Sequence, residues 1–218
     1  MGKTKAQKKS DIRNQIIDAA TNYQKHLLGK VFMFVYGDEY FEVVFQADRF
    51  MHLTGVESVL SASDFFKKAK TRKLTEQQFF FTKDHPYQTA KNKLPCLLEL
   101  HLITKNLTCV INDLSTVTLT YKIGLTNLDF TLGLTENLDV KGDKINNWFL
   151  PRTLRVKDNA INNSSYSEFI DFVFVKNASD TNYAEITFRT EDKPFPKCIY
   201  HLIDQSLIEK YCDGKMSK

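Results

Sequence analysis

With 218 residues, 42% hydrophobic and 26% charged, the chain has an ordinary globular balance and enough apolar material to bury one core. Its net charge of +4 is mild, and Lys3, Lys5, Lys8 and Lys9 carry much of it, so charge alone is weak support for a nucleic-acid partner. No stretch approaches the roughly 18 apolar residues of a membrane span, and Asp11 to Ala20 is too polar for a signal peptide, so the expected location is the cytoplasm.

In chain order, residues 1–9 read as a basic disordered tail, followed by a single domain over 10–218. From Ser10, a fair N-cap, to about Leu28, Ile12, Ile16, Ala19, Tyr23 and Leu27 recur at helical spacing, and Gly29 can end that helix. Val31 to Tyr36 and Tyr40 to Phe45 are β-prone runs about a Gly37-Asp38 turn, which predicts a hairpin. A helical turn over Asp48 to Leu53 closes on Gly55. Ser61 with Asp64, and Thr75 with Gln78, have capping-box spacing. Phe79-Phe80-Phe81 reads as a buried helix end or as an exposed partner-binding patch. Leu94 to Thr104 reads as a helix with Pro95 in its first turn.

Beyond residue 107 the texture changes. Leu107 to about Leu134 alternates apolar residues with Thr and Asn, the period of a sheet, and Phe169 to Val175 and Ala184 to Thr190 are two further strands. The polar, Asn-rich stretches 135–147 and 157–167 read as loops, and Leu202 to Tyr211 as a closing helix. Helices first and strands after predict an α+β fold: N-terminal helices on a mainly antiparallel twisted sheet. The four cysteines are widely spaced without a CxxC, which predicts free thiols.

Several chemistries find no motif. The sequence holds no GxxxxGK[ST], GxGxxG, HExxH or GxSxG, and no His/Cys cluster at metal-ligand spacing, so neither a cofactor nor a metal is implied. What remains is Phe50-Met-His-Leu-Thr-Gly-Val56. Phe50 and Leu53 would face the core. If the chain leaves the helix at Thr54, helped by Gly55, His52 and Thr54 can converge on one cavity. An imidazole titrating near neutrality is a natural general acid or base for phosphodiester cleavage, and a hydroxyl beside it can donate to a phosphoryl oxygen. The plainer reading is a His and a Thr that satisfy the end of a short helix.

The segment Tyr40-Phe-Glu-Val-Val-Phe-Gln-Ala-Asp-Arg-Phe-Met-His-Leu-Thr-Gly-Val56, followed by Ser61-Ala-Ser-Asp-Phe-Phe-Lys-Lys-Ala69, resembles the opening of a phage-associated family. That family is grouped with the barnase, EndoU, colicin-tRNase and RelE-like nucleases (the BECR fold), here its branch with an HLTG motif. The resemblance continues in Leu150-Pro-Arg-Thr-Leu154 and Glu185-Ile-Thr-Phe-Arg-Thr190, and so covers about 40–190. It implies metal-independent RNA cleavage, in which the 2′-hydroxyl attacks the adjacent phosphate and leaves a 2′,3′-cyclic phosphate. It also implies His52 as general base or acid, Thr54 as a supporting hydroxyl, and further site positions near Arg152 or Thr153 and near Thr190.

In-line transfer needs a base, an acid and a cation for the phosphorane charge. Arg152 or Arg189 can clamp phosphate bidentately. Each also has a plain reading, as a solvated loop cation and as one face of a strand. Tyr40 and Tyr121, with Tyr36 and Trp148, can stack bases. A second proton carrier is not evident: His101 lies on an apolar helix, His26 at a helix end, and His85 and His201 are candidates by position. Two competing functions result. One is a ribonuclease of phage or prophage origin acting on host RNA or tRNA, in the manner of a toxin. The other is an inactive binding protein of the same fold that inhibits a host defence protein. A virion component is a third.

Overall fold

Thr4, not Ser10, starts the first helix. In the computed structural model, which describes residues 2–115, 120–127, 129–156 and 166–212, helix α1 runs Lys5–His26. Gln7 N donates to the Thr4 hydroxyl and Thr4 N donates to Gln7 Oε1, a reciprocal capping box. Residues 5–9 are good helix formers, so the stretch read as a disordered tail is helical from Lys5. Lys8 and Lys9 lie over the rings of Tyr87 and Phe79, 5.5 and 5.3 Å from the centroids, and their charge is engaged within the protein. Ile12, Ile16, Ala19, Ala20 and Tyr23 form the buried stripe, and Gly29 takes a positive φ of 75° where the chain turns into the sheet.

The hairpin forms as expected, from β1 (Lys30–Tyr36) and β2 (Glu39–Val44). β1 is buried on both faces: Phe32, Phe34 and Tyr36 enter one core, and Val31, Met33 and Val35 another. A 3-10 turn (Ala47–Arg49) leads into α2 (Phe50–Thr54), ended by Gly55 at φ 77°. Next come β3 (Glu57–Ser58) and α3 (Ala62–Lys70), where the Ser61 side chain accepts from Asp64 N. Thr75 and Gln78 cap only a 3-10 turn. Phe79-Phe80 is neither a helix end nor a continuous patch. It is the short strand β4, paired with β3, with Phe79 buried and Phe80 turned outward.

The helix expected over 94–104 starts earlier. Helix α4 is Tyr87–Leu98, and a 3-10 segment covers Leu100–Thr104. Pro95 therefore lies within the helix, where it removes one backbone bond. The buried face of Ala90, Leu94 and Leu97 offsets that loss.

The remaining strands are β5 (Cys109–Ser115), β6 (Thr120–Thr126), β7 (Phe130–Leu138), β8 (Lys144–Val156), β9 (Tyr166–Phe169), β10 (Phe172–Asn177) and β11 (Glu185–Arg189), and α5 (Gln205–Cys212) is the last described element. The loop expected over 135–147 is instead a hairpin. β7 and β8 continue through it to the pair Leu138 and Lys144, and Asp139 Oδ1 accepts from Lys141 N and Asp143 N in the turn. Its polar residues bond across the strands, Asn137 Nδ2 to Asn146 Oδ1 and Lys144 to Glu136. Of the other expected loop, 157–165 lies outside the described residues.

The strand order is β11-β10-β1-β2-β8-β7-β6-β5-β9. The run expected as one strand from Phe169 is broken at Ile170-Asp171: β9 pairs with β5, and β10 pairs with β1. Only two residues link strands near opposite ends of the order, so the sheet curls on itself. Ile170 N donates to Thr108 O and Asp171 N to Val35 O, which fastens the seam. This is the α+β architecture expected, a mostly antiparallel sheet with α1 to α4 over one core. The C-terminal Phe195, Ile199, Ile203 and Leu207 cover the other core. Among the described residues Cys96, Cys109 and Cys198 form no disulfide. Among the described residues no helix is long and apolar enough to cross a membrane.

Candidate active site

β2 and β8 are the one parallel pair among the named strands, with Glu42 opposite Trp148 and Val43 opposite Phe149. Because they run the same way, the segment after β2 and the late residues of β8 meet at one end of the sheet. The chain leaves β2 through the Ala47–Arg49 turn into α2, and α2 packs on β8. Topology thus makes neighbours of His52 and Arg152.

Phe50 and Leu53 point into the core and leave His52 on the exposed side of α2. Its pKa is held below the ordinary imidazole value. The largest cause is loss of water on the crowded side of the ring, followed by the charges of Arg152 and then Arg49, while Asp48 and Glu57 pull the other way. At neutral pH the ring is therefore mostly uncharged and able to accept a proton.

Arg152 sits on a strand rather than a loop. Gly133 faces Thr153 and Leu134 faces Pro151, so Arg152 is the extra residue of a β-bulge. Pro151 has no N–H to give to the ladder, which makes this an inexpensive place to break register. The bulge leaves the Arg152 side chain exposed. Arg49 joins from the turn before α2, its Nε buried, 3.5 Å from Asp48 Oδ2 and without a hydrogen bond.

α4 adds a further cation. A Cβ on Gly55 would stand 3.0 Å from Lys93 Cδ and 3.3 Å from Ala90 N, so glycine is what lets α4 approach the motif. Burial, and then Arg155, lower the pKa of Lys93. On the acidic side, Glu57 receives His85, whose Nε2 lies 3.2 Å from Glu57 Oε1. Sequence reasoning passed over Arg49, Glu57 and Lys93. Arg49 adjoins the motif and could have been found there, whereas nothing local marks Lys93.

Thr54 is fully buried, and its hydroxyl donates to Met51 O at 2.7 Å, which closes the helix end. That is the plainer of the two roles expected for it. Thr153 lies on β8 beside the bulge, half-buried opposite Gly133. Arg189 and Thr190 do not join the group. β11 stands four positions from β8 in the sheet order, roughly 19 Å at the usual strand spacing. There Arg189 stacks on Tyr211, 4.7 Å from its ring centre, with its Nε buried and unbonded, and Thr190 N donates to Asp171 O. Tyr40 is 37% exposed and lines a crevice of about 290 Å³ with Glu42, Lys144, Asn146 and Trp148. Continuing the register puts it level with Asn146, six residues before Arg152, or roughly 20 Å along β8. Tyr121 is on β6, and its side chain is outside the described residues. Among the described residues no group of three or more His, Cys, Asp or Glu is arranged to hold a metal ion.

A family model described as phage-Barnase-EndoU-ColicinE5/D-RelE like nuclease 4 matches residues 15–192, which takes in every element of this site. No curated protein and no solved structure gives a significant match.

Proposed function

Because the chain belongs to the phage-Barnase-EndoU-ColicinE5/D-RelE like nuclease 4 family, we propose that it is a metal-independent endoribonuclease that cleaves RNA by 2′-hydroxyl transesterification in the bacterial cytoplasm. The observation that carries this reading is a solvent-facing imidazole of lowered basicity beside two guanidinium groups, Arg152 and Arg49. His52 accepts the proton of the 2′-hydroxyl as its oxygen attacks phosphorus. Arg152 and Arg49 hold the phosphate and oppose the charge that builds on the phosphorane oxygens. Lys93 and Arg155 extend the basic surface toward α4, where a neighbouring phosphate of the RNA backbone can lie. The His52-Leu-Thr-Gly55 block then marks this chain's branch of the family, its glycine giving α4 room and its threonine closing the helix that presents the histidine.

The test is incubation with total bacterial RNA in EDTA, followed by end-group analysis. Wild type should leave 2′,3′-cyclic phosphate and 5′-hydroxyl ends, and His52→Ala should cut about 10²–10⁴-fold more slowly. Equal behaviour of the two proteins would remove the nuclease reading. It would leave the alternative, a protein of the same fold that binds a host defence component without cleaving RNA.

A further inference from the structure

One imidazole cannot serve both ends of an in-line displacement, because the attacking 2′-oxygen and the departing 5′-oxygen lie on opposite sides of phosphorus. We propose that Glu57 and His85 supply the second proton transfer, with His85 donating to the departing 5′-oxygen and Glu57 orienting its ring. The inference rests on the ribonuclease reading above.

Glu57 is five residues beyond His52, and between them the chain reverses through the left-handed Gly55. Glu57 therefore lies close to His52, and its charge acts on that ring. On its other side it receives His85, with 3.2 Å between Oε1 and Nε2. Both side chains are about two-fifths exposed, 42% and 41%, so a substrate can reach them. Both backbones are fixed. Glu57 pairs with Phe80 in the β3–β4 ladder, while His85 N donates to Thr82 Oγ1 and Thr82 N to His85 O. An exposed pair of this kind adds little to stability, so stability is a poor account of this double anchoring.

The other histidines stand elsewhere in the fold. His26 and His101 stack on each other, and His201 lies in the C-terminal segment that covers the second core. With Nε2 held by a carboxylate, Nδ1 of His85 is the nitrogen that can pass a proton to substrate, the arrangement by which a positioned carboxylate sets a catalytic tautomer. In the step, the 2′-O–P bond forms and the P–O5′ bond breaks. The 2′-hydroxyl proton passes to His52, and a proton from the His85 imidazolium passes to O5′. Exchange with water resets both rings.

The experiment uses an oligoribonucleotide carrying the wild-type cleavage site, made with an ordinary linkage and with sulfur in place of the bridging 5′-oxygen. A 5′-thiolate departs without a proton. On the ordinary linkage His85→Ala should be slowed about 10²–10⁴-fold, and on the sulfur linkage it should come within tenfold of wild type. Glu57→Gln should show a smaller loss that the sulfur linkage also repairs. His52→Ala should remain slow on both. Rescue by sulfur also shows the variant to be folded. If His85→Ala matches wild type on the ordinary linkage, or is slowed equally on both, the assignment is wrong while the ribonuclease reading stands. If wild type cuts no RNA, the reading beneath it fails first.

Discussion

The ring of His26 lies flat on that of His101, with 4.5 Å between centroids and 16° between planes. The contact joins the end of α1 to the segment after α4. Both pKa values are below the ordinary 6.5. For His26 the causes are burial, then the partner ring and Lys25, and for His101 they are burial and then Lys105. Two stacked imidazoles among lysines resist taking up protons in the folded state. The unfolded chain binds them more readily, so stability rises with pH through this range and falls as pH drops below about 6.5. Thermal unfolding at pH 7.5 and 5.5 should show a lower Tm at the acid value. His101→Gln should reduce that difference, and an unchanged difference would remove these rings as its source.

Arg152 has two effects that one variant separates. Its charge helps to hold the His52 pKa down, so Arg152→Ala should move the acid limb of the pH–activity profile upward. The same change should lower the cleavage rate about 10²-fold through loss of the phosphate contact. Arg152→Lys should recover the position of the limb better than the rate, because an ammonium ion replaces the charge but not the bidentate fork. The His52 titration, followed by NMR, is the direct check.

Gly55 is both left-handed and crowded. At φ 77°, with Lys93 Cδ at 3.0 Å and Thr89 Cγ2 at 3.2 Å from a notional Cβ, alanine would meet backbone strain and overlap together. Gly55→Ala should lose about 1–3 kcal/mol in urea unfolding. No loss would mean that α4 moves away freely.

Thr54 tests the split between chemistry and structure. Its buried hydroxyl is bonded to Met51 O, so Thr54→Val should cost about 1–2 kcal/mol of stability and Thr54→Ser less. Equal stabilities in a urea titration would show that the bond holds nothing.

Arg189 belongs to the C-terminal cover. It stacks on Tyr211 at 4.7 Å and approaches Phe195 at 6.0 Å, so Arg189→Ala should loosen α5 by about 1 kcal/mol. Faster hydrogen exchange confined to residues 205–211 would show it, and unaltered exchange there would refute it.

Local sequence determined what depends on near neighbours. The stripe of Ile12, Ile16, Ala19 and Tyr23, the Ser61 cap, the β1–β2 hairpin and the exposed place of His52 all follow from spacing and turn chemistry within a few residues. The capping pair Thr4 and Gln7 was equally local, although the lysines around it read as a tail. Only tertiary structure could decide the rest. The hairpin across 135–147 is stabilised by bonds between its two strands, which single-strand hydropathy does not record. Pro95 is tolerated in a helix because the opposite face is buried. The meeting of His52 with Arg152, and the separation of both from Arg189 and Thr190, come from one parallel pairing and the order of strands in a curled sheet. Those are long-range choices, stabilised by burial over the whole sheet, and no short window of residues encodes them.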